Sequence, residues 1–281
     1  MMKILVTGAN GQLGSELAAL SSNYAHYEWF FADRTQITLD NLEVLKTQLN
    51  EIQPDAIFNC GAYTAVDKAE TEKELAFTIN HLAVELIAKY TAKNNAKLIH
   101  ISTDYVFDGT SSIALNEEAQ TNPINVYGAS KIAGEIACLK ENPNSIIIRT
   151  SWVYSKFANN FVKTMQRLMQ ERESINVVND QIGSPTYAAD LAQAMIDILE
   201  SSEWIPGIYN YSNEGEISWY EFALAIKEFG NYDCNVGGIP SSSYPTPAKR
   251  PEFSLLDKKK IKVTYSLEIP NYKESLKEMF V

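Results

Sequence analysis

Cysteine and histidine are scarce in this chain of 281 residues. The three cysteines, Cys60, Cys138 and Cys234, are scattered and odd in number, so they give neither a disulfide framework nor a metal-ligand spacing. The three histidines lie at positions 26, 81 and 100 and form none of the zinc motifs such as H-E-x-x-H. We therefore expect buried or incidental thiols and no zinc site.

Positive charge and long apolar runs are scarce as well. Lysine and arginine number 24 against 35 acidic residues, which gives a net charge of −11. This balance argues against nucleic-acid binding, because that affinity comes mostly from cations meeting phosphates. No apolar run approaches the roughly twenty residues that span a membrane, and the N-terminus lacks the pattern of a signal peptide. We expect a cytoplasmic protein with no nucleic-acid or membrane partner.

The sequence does contain a repeated alternation of strand-like and helix-like segments. Five short apolar runs are typical of strands, and helical patterns lie between them. The runs span residues 3–6, 29–32, 56–60, 97–101 and 145–149, and the clearest helical patterns span 38–49, 72–94 and the segment from 127 onward. The alternation predicts an α/β fold, a Rossmann-like doubly wound parallel sheet.

A glycine turn follows the first predicted strand. Its three glycines are spaced three residues apart and are followed by an apolar helix. Glycines at this place allow a tight turn and let backbone N–H groups approach a pyrophosphate at the N-terminus of the helix. The flanking strand and helix favour a dinucleotide-binding turn over a glycine-rich hairpin, with contacts from Gly8, Asn10, Gly11, Gln12, Leu13 and Gly14.

Asp33 and Arg34 end the second predicted strand, about twenty residues beyond the glycines. An acidic residue here accepts a hydrogen bond from the adenosine ribose of NAD, whereas an arginine can hold the 2′-phosphate of NADP. Both residue types are present, so the choice between NADH and NADPH stays open.

Tyr127 and Lys131 stand four residues apart at the predicted start of a helix. At this spacing both side chains lie on one helical face, one turn apart. A free phenol has a pKa of about 10, and a nearby cation lowers it. The pair is therefore suited to proton transfer, although a solvated helix face is the alternative interpretation of the two residues alone.

The last third of the chain has shorter elements. We predict helices at 160–170, 188–199 and 218–228, strands at 176–178 and 207–211, and an irregular proline-rich loop over a ligand at 241–251. Residues 1–155 are predicted to form the dinucleotide-binding Rossmann domain, and 156–281 mainly a smaller α/β substrate-binding lobe. This lobe is discontinuous, because about 187–230, with the strand at Ile208 and the helix at Ser218, could return in part to the main sheet.

Six longer strings resemble the extended short-chain dehydrogenase/reductase family, over essentially the whole chain. Within it they are similar to the subgroup that makes dTDP-L-rhamnose. The strings are Gly11-Gln12-Leu13-Gly14, the run 59–70, the run Ser102-Thr103-Asp104-Tyr105-Val106-Phe107-Asp108-Gly109, the run 149–154, Gln181-x-Gly183-x-Pro185-Thr186, and Arg250-Pro251-x-x-Ser254-x-Leu256-Asp257.

The resemblance implies NAD(P)H-dependent reduction of the C4 ketone of dTDP-4-dehydro-β-L-rhamnose. Tyr127 is then the proton donor, Lys131 lowers its pKa and binds the cofactor ribose, and Thr103 hydrogen-bonds the carbonyl. Dehydratases of the family carry Asp-Glu after this threonine, whereas the pair here is Asp104-Tyr105, which favours reduction. The alternatives are another nucleotide-sugar ketoreductase or epimerase, and a non-catalytic regulatory subunit of the same fold.

The resemblance also implies the binding residues. Besides the glycine turn, Tyr127 and Lys131, the cofactor contacts are Asp33, Arg34, Leu39, Asp40, Cys60, Gly61, Ala62, Tyr63 and Asn80. The substrate contacts are Val66, Ser102, Thr103, Asp104, Tyr127, Trp152 and Arg250, with Trp152 packing on the sugar and Arg250 contacting the diphosphate or sugar. Some members dimerise through magnesium held by acidic side chains. Here only Glu16 and Asp190 match those acidic residues. The oligomeric state, monomer or homodimer, and the binding of Mg²⁺ therefore stay open.

Overall fold

Parallel strands form the centre of the molecule, whose computed structural model describes residues 1–280. Six of them pair in the order β10-β5-β4-β3-β1-β2, and every neighbouring pair is parallel. The twelve strands are β1 Met2–Thr7, β2 Tyr27–Ala32, β3 Ala56–Asn59, β4 Lys97–Thr103, β5 Ile146–Thr150, β6 Val153–Tyr154, β7 Ser174–Val178, β8 Ile182–Gly183, β9 Thr186–Tyr187, β10 Gly207–Asn210, β11 Ile217–Ser218 and β12 Asn235–Ile239. The strand order reverses between β1 and β3, which is where open α/β sheets bind ligands.

Helices cover both faces of this sheet. They are α1 Gln12–Leu20, α2 Leu42–Ile52, α3 Val66–Ala69, α4 Lys73–Phe77, α5 Ala83–Asn94, α6 Val126–Glu141, α7 Phe161–Glu171, α8 Ala188–Glu200, α9 Trp219–Gly230, α10 Lys259–Tyr265 and α11 Tyr272–Lys277. Alternate residues of β1 enter different cores: Ile4 packs with α1 and α8, and Leu5 packs with α2 and α5. Because both faces are covered, the strands are apolar throughout, as the sequence shows. The predicted doubly wound α/β fold is confirmed.

A second core lies in the C-terminal part of the chain. It gathers apolar side chains of α7, α9, α11 and the parallel pair β7–β12, among them Val162, Phe222, Ile175 and Leu276. Ser218 caps α9 and forms a capping box with Glu221, which fixes the start of that helix. We propose that the two lobes of the protein follow these two cores.

Some segments differ from the sequence-based expectation. The helix predicted from residue 38 begins at Leu42, because the Asn41 side chain caps it by accepting from the Val44 N–H. The helix predicted at 72–94 contains a π-helical segment, Thr78–Leu82, between α4 and α5. Strand β10 pairs with β5 in the main sheet and α8 packs on it, whereas the helix after Ser218 packs in the second core and not on the sheet. No helix within residues 1–280 has the length and apolar character that crossing a membrane requires.

Candidate active site

The glycine turn lies where β1 and β3 end side by side. Gly8 has φ +69°, and a Cβ there would lie 2.8 Å from the Gly61 backbone. A Cβ on Gly14 would lie 2.4 Å from the Gly8 carbonyl oxygen. Side chains are therefore excluded at both places, and the backbone forms an open cradle before α1. Leu13 of this turn packs in the main core, and Gln12 donates from Nε2 to the Val153 carbonyl (3.2 Å).

Asp33 is already engaged by neighbouring polar groups. Its Oδ1 accepts from the Thr35 hydroxyl (2.6 Å) and the Thr35 N–H (2.8 Å), and its Oδ2 from Asn10 (3.3 Å). These bonds, led by those from Thr35, lower the pKa of Asp33. Arg34 is exposed beside it.

Leu39 and Asp40 differ in their relation to the cradle. Leu39 reaches it, since its Cδ1 lies 2.8 Å from the place of a Cβ on Gly61. Asp40 is exposed just before α2, and none of its contacts joins it to the turn.

A buried polar chain, which sequence reasoning missed, supports the Gly61 loop. The Gly61 N–H donates to Thr7 Oγ1 (2.9 Å), and that hydroxyl donates to Asn59 Oδ1 (2.7 Å). Asn59 Nδ2 in turn lies 2.9 Å from His100 Nδ1. An amide NH₂ can only donate, so His100 Nδ1 is the acceptor and the imidazole is neutral. Burial lowers the pKa of His100 well below its usual value, in agreement with this state.

Asn80 positions the loop and does not face the cradle. Its amide accepts from the Tyr63 N–H (2.9 Å) and donates to the Tyr63 carbonyl (3.0 Å) and the Ser130 hydroxyl (3.0 Å). This corrects its predicted role as a cofactor contact, because the polar atoms of its side chain are hydrogen-bonded to other residues of the protein. Cys60, Gly61 and Ala62 form the loop between Asn59 and Tyr63, and the Tyr63 phenol donates to Glu72 (2.7 Å).

Thr103, Tyr127 and Lys131 come together at the carboxyl end of β4. Thr103 ends that strand, and Asn125 caps α6 by accepting from the Gly128 N–H (2.7 Å). A Cβ on Gly128 would lie 2.1 Å from the Tyr105 carbonyl oxygen, so the helix can start this close to the loop after β4 only with glycine there. All three side chains are buried, and the Thr103 hydroxyl is near enough to the Tyr127 phenol to lower its pKa.

The pKa of Tyr127 differs from the expectation. Burial raises it to about 12, and the bond with Thr103 offsets this only in part. The prediction that Lys131 lowers the pKa of Tyr127 is therefore corrected. In the structure burial has the largest effect on this pKa, and the phenol keeps its proton at neutral pH. Burial also lowers the pKa of Lys131 to about 8, and its ammonium donates to the Ile101 carbonyl (2.6 Å).

Asp104 and Ser102 lie on either side of Thr103 in sequence but have different roles. Asp104 is buried and accepts from the Thr103 hydroxyl (3.0 Å). Burial raises its pKa to about 6, and the nearby Ser254 and Thr103 hydroxyls offset this in part. Ser102 points the other way and donates to Glu135 (2.5 Å), which forms a buried ion pair with Arg149 (2.6 Å). The predicted substrate contact of Ser102 stays a prediction, and its hydroxyl is engaged by Glu135 in this structure.

Arg250 is held by an acidic partner. Its Nη1 and Nη2 donate to Asp67 Oδ1 (3.0 Å) and Oδ2 (2.8 Å), and Nη1 also donates to the Ala248 carbonyl (2.9 Å). The Arg250 bonds lower the pKa of Asp67. The ion pair ties the 241–251 loop to α3, and the predicted contact of Arg250 with the diphosphate or sugar stays a prediction.

The remaining predicted substrate contacts lie on two sides of the hydroxyl pair. Val66 packs with Tyr63, Ala76 and Tyr127. Trp152 follows β5 with a left-handed backbone, φ +47°, and its half-buried ring stacks on Trp219. The sequence analysis missed Trp219, because no pattern near this residue indicates that it contacts Trp152, which lies 67 residues earlier in the chain.

The acidic residues considered for magnesium are bonded within the chain. Glu16 accepts from the Ser155 hydroxyl (2.6 Å), and Asp190 accepts from Ser275 (2.5 Å) and Asn213 (2.6 Å). Across residues 1–280 no group of three or more acidic, cysteine or histidine side chains is arranged to hold a metal ion.

Three features define the class of this protein. They are the parallel doubly wound sheet, the glycine turn at its switch point, and the grouping of Thr103, Tyr127 and Lys131 at the same edge. The protein is an oxidoreductase with a Rossmann-like fold.

Comparison with known proteins narrows this class. The family model described as RmlD substrate binding domain matches residues 2–281, and the chain belongs to that family. A dTDP-4-dehydrorhamnose reductase of Aggregatibacter actinomycetemcomitans is 39% identical, over 99% of this chain and 98% of its own. One of Sinorhizobium fredii is 40% identical, over 99% and 96%. The crystal structure of dTDP-4-dehydrorhamnose reductase from Bacillus anthracis in complex with NADP superposes with a TM-score of 0.95 at 40% identity, covering 100% of this chain and 99% of that one.

Proposed function

We propose that this protein reduces the C4 ketone of dTDP-4-dehydro-β-L-rhamnose to dTDP-L-rhamnose with NADPH or NADH. The observation that carries the proposal is that Thr103, Tyr127 and Lys131 lie together, all buried, at the carboxyl end of β4. The sugar nucleotide is inferred from the dTDP-4-dehydrorhamnose reductases that are 39% and 40% identical to this chain.

The residues present fit a dinucleotide. The glycines at 8 and 14 let the turn pack directly against the backbone of Gly61 and of Gly8, so the N-terminus of α1 lies at the end of β1, where a diphosphate can meet its N–H groups. The Thr7–Asn59–His100 chain fixes Gly61 beside it. When bound, the reduced nicotinamide supplies the hydride. Lys131 lies below Tyr127 on α6, where its ammonium can bind the ribose hydroxyls while keeping its bond to the Ile101 carbonyl.

The two hydroxyls act on the carbonyl oxygen. Negative charge develops on this oxygen as the carbonyl carbon is reduced, and preorganised donors aimed at such charge lower the barrier. The Thr103 hydroxyl turns its proton from Asp104 to this oxygen, and the Tyr127 phenol donates the proton that completes the alcohol. A phenol whose pKa is raised to about 12 is protonated before the reaction, as a donor must be. The Lys131 charge then stabilises the phenolate left behind.

The environment of Asp33 and Arg34 favours NADPH over NADH. Asp33 Oδ1 already accepts two bonds from Thr35, so only Oδ2, which accepts a 3.3 Å bond from Asn10, has room to accept from a ribose 2′-OH. Arg34 is exposed, and guanidinium donors suit phosphate geometry.

We expect Arg34→Ala to raise the KM for NADPH and leave that for NADH nearly unchanged.

The decisive experiment follows the oxidation of NADPH and of NADH in the presence of dTDP-4-dehydro-β-L-rhamnose. Turnover with this substrate, and much slower turnover with the UDP- and GDP-linked 4-ketosugars, is the expected result. Turnover preferring another base or sugar would support a different nucleotide-sugar reductase. Silence with every substrate, while the dinucleotide still binds, would overturn the proposal in favour of a non-catalytic subunit.

A further inference from the structure

Trp152 has a backbone conformation that its surroundings must enforce. Its φ of +47° lies in the left-handed region, which is unfavourable for a bulky side chain and persists only where neighbours determine it. The preceding Ser151 hydroxyl donates to the Ser184 carbonyl (2.6 Å), and the Trp152 carbonyl accepts from the Thr186 N–H (3.3 Å). The conformation turns the indole out of β5.

The indole edge points toward the hydroxyl pair through a short series of contacts. A Cβ on Gly183 would lie 3.0 Å from Trp152 Cζ2 and 3.1 Å from Ser254 Oγ. Ser254 lies near enough to Asp104 to lower its pKa, and the Asp104 carboxylate accepts from the Thr103 hydroxyl. Trp152 and Ser254 thus flank Gly183 on the side of the site where Asp104 and Thr103 lie.

Trp219 covers one face of this indole. The two ring centroids are 3.8 Å apart and the planes differ by 15°, so the rings are stacked. Trp219 is the first residue of α9, whose start is fixed by the capping box of Ser218 and Glu221. It also contacts Phe161 of α7, with centroids 4.5 Å apart. The stack therefore joins Trp152 to the second core.

We propose that Trp219 is a positioning residue for the sugar, acting by holding the Trp152 indole in place. The inference rests on the proposed function, because it assumes that Trp152 packs on the sugar ring. Stacking of indole on indole restrains the ring plane, and apolar ring faces are the usual platform for the C–H faces of a sugar. The sugar-dependent part of binding then depends on Trp219, whereas nucleotide and dinucleotide binding do not.

The test uses Trp219→Leu, Gly183→Ala and a matched control, Trp204→Phe. Trp204 lies in the main core, where its Nε1 donates to the Asn144 carbonyl, away from the stack. Gly183→Ala keeps every tryptophan but pushes on the Trp152 edge, so it tests ring position without removing Trp219. The measurements are the exciton couplet that stacked indoles give in circular dichroism, and the affinities for dTDP-L-rhamnose, for dTDP and for NADPH.

We expect Trp219→Leu to abolish the couplet and to weaken dTDP-L-rhamnose binding about five- to tenfold, the size of one lost aromatic pair, with dTDP and NADPH unchanged. Gly183→Ala should also weaken the binding of dTDP-L-rhamnose. Trp204→Phe should leave the binding of all three ligands unchanged. Unchanged dTDP-L-rhamnose affinity after loss of the couplet would overturn the proposal, as would a wild-type protein that binds dTDP and dTDP-L-rhamnose equally. Normal sugar binding without turnover would instead count against the proposed function alone.

Discussion

At the residue scale, Tyr127 carries the sharpest expectation. Tyr127→Phe removes the proton donor but keeps the ring that packs with Tyr63 and Val66. We expect kcat to fall by about 10²–10⁴-fold, the usual contribution of positioned acid catalysis, with NADPH affinity nearly unchanged. The measurement is steady-state kinetics with a separate dinucleotide titration. Tyr90→Phe, on α5, is the control and should behave as wild type. Wild-type turnover in Tyr127→Phe would remove Tyr127 as the acid.

Lys131 should set the alkaline limit of activity. Burial lowers its pKa from the ordinary 10.5 to about 8, so the ammonium is present below that pH and is lost above it. The Tyr127 pKa of about 12 keeps the phenol protonated over the same range. We expect kcat/KM to fall as pH rises through about 8, and Lys131→Arg to retain part of the wild-type activity with a much flatter profile, because guanidinium stays charged. A wild-type profile that is level from pH 7 to 10 would contradict this assignment.

Single residues also show what sequence reasoning could reach. Thr103, Tyr127 and Lys131 were found because a spacing and a set of strings mark them, and the structure brings them together. The different surroundings of Ser102 and Thr103 could be predicted, since successive strand residues face opposite sides of a sheet. Asn80 and Arg250 were not predictable in the same way. Their partners, Tyr63 and Asp67, lie 17 and 183 residues away, and only folding shows the contacts.

At the element scale, the segment 250–257 joins the parts of the site. It is tied to α3 by Arg250 and Asp67, and to β8 by a pair of backbone bonds with Ile182 (2.7 and 2.8 Å); Ser254 also lies near Asp104 at the end of β4. The sequence predicts a loop over a ligand at 241–251, and this segment continues from the end of that loop.

The Asp67–Arg250 pair should act mainly on substrate binding and little on stability. Its side chains are 40% and 24% exposed, so solvent screens the pair, and its coupling is expected to be at most about 1 kcal/mol. We expect Asp67→Asn and Arg250→Met each to raise the KM for the sugar nucleotide several-fold by loosening the loop. The double variant should be no worse than the poorer single one, as measured in a double-mutant cycle. Fully additive effects on KM would show that the residues act separately.

At the scale of the whole molecule, the alternation of apolar runs and helical patterns was enough to predict the parallel sheet. It was not enough to place the C-terminal elements. Strand β10 and helix α8 pack in the main core while α9 packs in the second, yet all three are similarly apolar. Which core receives an apolar helix depends on the shape of surfaces built by distant segments, and periodicity records only that one face is buried.

Contacts between the two cores lead to a prediction about unfolding. Gln12 bonds to Val153, Ser155 to Glu16, and the 250–257 segment bridges both sides, so neither lobe can open without breaking buried polar contacts. We expect one cooperative unfolding transition. Calorimetry should agree with the fluorescence of Trp29 in the main core and of Trp219 in the second core, each measured in a variant that lacks the other tryptophans.

NADPH at a hundredfold excess over its Kd should raise the unfolding free energy by about 2.7 kcal/mol. Because the transition is shared, both probes should move together. If NADPH shifts the Trp29 transition and leaves that of Trp219 in place, the lobes unfold independently, and the bridging contacts do not couple them.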